Sequence, residues 1–142
     1  MKCVALGIKE LHELGFAHRR VTPDTIVMNV RPLDVRLICF KSSFPALFQT
    51  RGTVTSSSNY APVGEDIPDG SPDWDIYALA AIALECDLEK GAFKTLGRER
   101  SLQWKAHEHA SKGFSCDALS QLLRETVLRP NGKRELGIDD VI

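Results

Sequence analysis

The chain has 142 residues, the size of one ordinary domain. Hydrophobic residues make up 43% and charged residues 26%, which excludes a disordered chain, a collagen-like fibre and a disulfide scaffold. Lys plus Arg is 18 and Asp plus Glu is 19, a formal net charge of −1, so no global positive charge is there to hold a nucleic-acid backbone.

Residues 1–14 are predicted helical: Val4, Leu6, Ile8, Leu11 and Leu14 form the apolar stripe and Gly15 is the stop. Residues 16–25 read as a loop around Pro23. Two β-like runs follow, Ile26–Val30 and Val35–Phe40, joined by Arg31-Pro32-Leu33-Asp34 as a hairpin turn. Residues 41–72 show no sustained period and read as a long loop, with a Ser/Thr-rich run from Thr53 to Ser58. Residues 73–88 form a helix capped by Asp73 and apolar on nearly every face, the pattern of a buried strut. Further helices are predicted over Leu102–Ser111, over 116–128 with Leu119, Leu122, Leu123 and Val127 on one face, and over 135–142. The expectation is a mainly α architecture with helices around a buried central one and a small β-hairpin.

Cys3, Cys39, Cys86 and Cys116 form no C-x-x-C pair, which suggests free thiols in a reducing compartment. Lys9 and Glu10 interrupt the apolar N-terminal stretch before any cleavage site, so a signal peptide is not expected. The longest apolar run, Ile76–Leu84, is far shorter than the roughly 20 residues that cross a bilayer. A soluble protein of the cytoplasm or nucleus is expected, with no membrane or nucleic-acid partner.

Several strings in this order resemble the C-terminal lobe of a eukaryotic-type protein kinase. LHELGFAHRRVTPDTIVM is similar to the catalytic-loop region, whose usual pattern is H-R-D-L-x-x-x-N. VRLICFKSS resembles the strand leading into D-F-G, and RGTVTSSSNYAPVGED the stretch ending in A-P-E. DWDIYALAAIALE resembles the family's central helix, and RPNGKRELGIDDVI its last arginine-bearing segment. The resemblance spans residues 1–142 and implies a partial kinase-like domain without an N-terminal lobe. No G-x-G-x-x-G glycine-rich loop occurs in the sequence.

The resemblance also implies which chemistry is lost. The family's catalytic aspartate is Arg20, whose guanidinium has no acceptor and cannot take a proton. The magnesium-binding asparagine is Thr25, and the D-F-G aspartate is Cys39, a soft thiol that suits magnesium poorly. Neither a catalytic site nor a metal or ATP site is therefore expected. The structural residues are retained: His18 and Phe40 would pack toward the central helix, beside Arg19. Asp75 would hydrogen-bond the catalytic-loop backbone. Tyr60, Ala61 and Pro62 would anchor the activation segment, and Arg134 would meet a glutamate shifted from Val63 to Glu65.

The implied function is a catalytically inactive, pseudokinase-like chain that binds a protein through the apolar face an N-terminal lobe would cover. Two alternatives stay open: a truncated member of an ATP- and magnesium-using Ser/Thr kinase family, and a remnant without function. Phosphorylation within Thr53–Ser58 could dock on Arg19, Arg20 or Arg51. Asp24 reads as a solvated turn residue rather than a relocated base. His107 and His109, two apart on a helix, diverge rather than share a metal.

Overall fold

A computed structural model describes residues 2–46, 60, 71–87, 121 and 123. In chain order these residues form helix α1 (Lys2–Glu13), strand β1 (Phe16–Ala17), a 3-10 turn (Pro23–Thr25), strands β2 (Ile26–Val30) and β3 (Leu33–Leu37), a second 3-10 turn (Phe40–Ser42), strand β4 (Phe44–Pro45) and helix α2 (Pro72–Asp87). The strands make two antiparallel two-stranded sheets, β1 with β4 and β2 with β3.

This corrects the expected fold class. Among the described residues the architecture is two α-helices and two small sheets, not the mainly α arrangement of a protein-kinase-like C-terminal lobe. The β1–β4 sheet lies in segments predicted as loops. Each of its strands is two residues long, too short for a period of two to show, and the pairing is made across the chain, Phe16 to Pro45 and Ala17 to Phe44. The helices predicted beyond residue 90 lie outside the described residues, except that Gln121 and Leu123 are helical and Leu123 is fully buried.

In α1, Val4, Ala5 and Ile8 are buried, one face of a 3.6-residue period. Leu6 and Leu14 do not share it and are exposed: Leu6 lies across the helix from Ile8, and Leu14 falls beyond the last turn. The helix stops at Gly15, whose φ of +80° is a left-handed backbone that glycine adopts without cost. The Gly15 amide returns to the His12 carbonyl at 2.9 Å, and the Gly15 carbonyl accepts Ala46 N–H at 2.8 Å. One residue thus ends the helix and leads into the β1–β4 pairing.

The β2–β3 hairpin turns on Arg31-Pro32 alone, with Val30 opposite Leu33. Leu33 and Asp34 are therefore strand residues rather than turn residues. Because side chains alternate, the pairs Ile26–Leu37, Met28–Val35 and Val30–Leu33 share one face of the ladder. The inner end of that face, at Ile26, Val35 and Leu37, packs on the core.

Helix α2 starts on Ser71, not Asp73: the Ser71 hydroxyl accepts Asp73 N–H at 3.2 Å, and Pro72 occupies the first helical position. Asp75 through Ile82 are buried without a break, so α2 is enclosed on all sides. Its Ile76, Ala78, Leu79 and Ile82 join Val4, Ala5 and Ile8 of α1 and Val21 of the following loop in one core. Full burial of each large aliphatic side chain stabilises the fold by about 1.5–3 kcal/mol. No helix among the described residues is long and apolar enough to cross a membrane.

Candidate functional site

The side chains of interest converge where the chain leaves β1 and passes the first turn of α2. Asp75, 1% exposed, is the centre. Its Oδ2 accepts the His18 main-chain N–H at 2.7 Å and His12 Nε2 at 2.9 Å, and its Oδ1 accepts the Arg19 N–H at 2.8 Å. A buried carboxylate is costly unless its oxygens are satisfied. Here two main-chain amides and an imidazole satisfy it, and its place in the first turn of α2 adds a favourable helix dipole.

The anchoring by Asp75 holds an unusual backbone. Arg19 has φ 65°, a left-handed conformation that costs a non-glycine residue roughly 1–2 kcal/mol. Its guanidinium lies 5.5 Å from the centre of the Phe44 ring, a cation–π distance that ties the turn to β4. Cys39 has the same left-handed backbone, φ 68°, and its thiol is exposed.

His18 is fully buried and both ring nitrogens are used. Nδ1 accepts the Arg20 N–H at 3.4 Å and Nε2 lies 3.0 Å from the Ile38 carbonyl. An amide only donates and a carbonyl only accepts, so these partners assign the neutral tautomer with its proton on Nε2. The ring also meets Phe40 edge to face, with centroids 5.1 Å apart. Phe40 itself is half exposed.

Thr25 is buried, and its hydroxyl is consumed locally. It accepts Thr22 N–H at 3.0 Å and faces the carbonyls of Arg20 at 3.1 Å and Thr22 at 2.9 Å. One hydroxyl proton is shared between two carbonyls, and the turn from 20 to 25 closes on this side chain. Arg20 is exposed, while its amide and carbonyl are held by His18 and Thr25. Asp24 is exposed in the same turn.

Tyr60 packs against the core and its hydroxyl donates to Glu85 near the end of α2. Burial, and then the Glu85 carboxylate, push the phenol well above its ordinary value of 10.0, so it stays protonated. Ala61, Pro62, Val63, Glu65, His107, His109 and Arg134 lie outside the described residues, as does the Thr53–Ser58 run.

The structure thus brings His18, Arg19, Phe40 and Asp75 together, and sets Arg20, Thr25 and Cys39 around them. Among the described residues no group of three or more His, Cys, Asp and Glu side chains is arranged to hold a metal. Sequence reasoning missed His12. Its signal was a polar residue four positions after Ile8, on the buried face of α1, where a histidine needs a partner. It also missed Glu85, the acceptor for Tyr60. No family model matches this sequence, and no curated protein does.

Proposed function

We propose that this chain is a catalytically inactive relative of the protein kinases that acts by binding another protein. One observation carries the reading: the three positions that the resemblance assigns to base and metal ligands hold groups unfit for either task. Arg20 offers no proton acceptor. The Thr25 hydroxyl is spent inside its own turn. Cys39 presents a thiol where a hard cation needs oxygen. Asp75, the buried carboxylate nearby, has both oxygens committed to the backbone and to His12. Retention of the Asp75 anchor beside such substitutions supports a scaffold kept for its shape.

Binding is supported by the hairpin. Past the core contacts, the apolar face of β2–β3 continues through Met28, Val30 and Leu33, which are 61%, 67% and 73% exposed. Large apolar side chains grouped in this way mark interaction surfaces more often than scattered ones do. The free, exposed thiols of Cys3, Cys39 and Cys86 support a reducing compartment, cytoplasmic or nuclear.

The test is thermal unfolding of the full chain with ATP, with and without magnesium. The proposal expects the same melting temperature under both conditions. A magnesium-dependent rise, which only preferential binding to the folded state produces, would overturn it in favour of an ATP-using protein.

A further inference from the structure

The β2–β3 ladder has two strands, and among the described residues both of its outer edges are unpaired. A hairpin of two strands alone is marginal in water, and an open strand edge offers its N–H and C=O groups to any other strand. Edges are ordinarily blunted by charge, proline, a bulge or a covering element. β3 has such protection: Asp34 and Arg36 lie on it, bridged at 2.8 Å, and α1 packs against it. β2 lacks charge, proline and bulge alike. It reads Ile26-Val27-Met28-Asn29-Val30 and pairs with β3 residue for residue. Val27, Met28 and Val30 on it are 48%, 61% and 67% exposed.

We propose that a second copy of this chain closes that edge, the two β2 strands pairing antiparallel about a two-fold axis at Met28. This rests on the reading of the hairpin as a binding surface and names what binds there; it does not depend on the loss of kinase chemistry. The side chains favour that register. Met28 faces Met28 of the second copy, and each Ile26 faces the other copy's Val30, so every position on this side of the ladder meets an apolar partner. An axis perpendicular to the sheet keeps the two apolar faces on one side. The exposed outer end of each hairpin, Val30 with Leu33, thereby comes beside Ile26 of the other copy, where that copy's ladder packs on its core. Charge selects the same arrangement. One position beyond each end of the pairing, Thr25 of one copy falls opposite Arg31 of the other, and Asp24 adjoins it. Asp24 and Arg31 are both exposed, carry opposite charges and flank the two ends of β2. Antiparallel pairing therefore sets Asp24 beside Arg31 at both ends, whereas parallel pairing would set Asp24 beside Asp24 and Arg31 beside Arg31.

The experiment is analytical ultracentrifugation of the full chain from about 1 to about 100 μM, where mass action reveals a dimer of ordinary strength. A species of two chains that dissociates on dilution is expected. Met28→Lys sets two like charges face to face at the axis and should weaken association on the order of a hundredfold. Its circular dichroism should match wild type, because the position is 61% exposed. Asp24→Arg or Arg31→Glu alone should weaken association about tenfold, and the two exchanged together should return to within about threefold of wild type. The pairing is overturned if the chain is monomeric throughout that range, or if it forms species larger than two chains. It is equally overturned if Met28→Lys associates like wild type, or if the exchanged pair is no tighter than the single variants. A monomer leaves the inactive-binder reading standing, since that reading fails instead on a magnesium-dependent rise in melting temperature.

Discussion

Replacing Asp75 by asparagine exchanges one acceptor oxygen for an NH2 group and removes the charge, with almost no change in volume. Three donors converge on the native carboxylate: the amides of His18 and Arg19 and the ring of His12. The single remaining oxygen can serve the His18 side or the Arg19 side. The new NH2 then faces an N–H on the other side, in a place that is 1% exposed. A hydrogen bond to a charged group is worth about 1.5–3 kcal/mol, and a buried donor left unmet costs about 1–3 kcal/mol. The expected loss is therefore roughly 3–5 kcal/mol, the range seen when one partner of a buried charged contact is removed. Against a total stability of about 5–15 kcal/mol this is a large fraction. Urea unfolding should show it as a lower midpoint at unchanged slope. Asp24→Asn, in the exposed turn nearby, serves as the control and should stay within about 0.5 kcal/mol. An Asp75→Asn protein within about 1 kcal/mol of wild type would refute the claim that this carboxylate holds the turn.

Thr25→Val removes the hydroxyl that closes residues 20–25 and leaves the Thr22 amide and the Arg20 carbonyl unmet, at a cost of about 1–3 kcal/mol, whereas Thr25→Ser keeps most of the stability. Equal urea midpoints for the two variants would show that the hydroxyl is not what closes the turn. The Tyr60 phenol is raised in the fold, so its contribution is complete below the unfolded value of 10.0 and is lost as pH rises beyond it toward the higher folded value. Wild-type stability should thus fall more steeply above that pH than stability of Tyr60→Phe, and parallel curves in a urea–pH series would contradict this.

Much of the local order is legible in the residues themselves. The apolar spacing of Val4 and Ile8, the glycine at 15, and the unbroken apolar run from Ile76 to Leu84 announce two helices and the enclosed position of the second. The β-branched runs on either side of Arg31-Pro32 announce the hairpin, because alternation and turn chemistry act within a few residues. Arg20 could be singled out from the sequence as a side chain that cannot take up a proton, since a guanidinium has no acceptor of its own, whereas the commitment of the Thr25 hydroxyl to its own turn could not.

The tertiary structure decided the rest. That β1 pairs with β4 depends on contacts between residues nearly thirty positions apart, and neither strand has enough length to carry a pattern. That Ser71 rather than Asp73 begins α2 is a matter of which oxygen reaches the first free amides. That His12 belongs to the Asp75 cluster, and that His18 must carry its proton on Nε2, depend on atoms more than fifty and about twenty positions away, respectively. Local periodicity registers which side of an element faces inward. Which buried donor finds which buried acceptor is settled only when the elements meet.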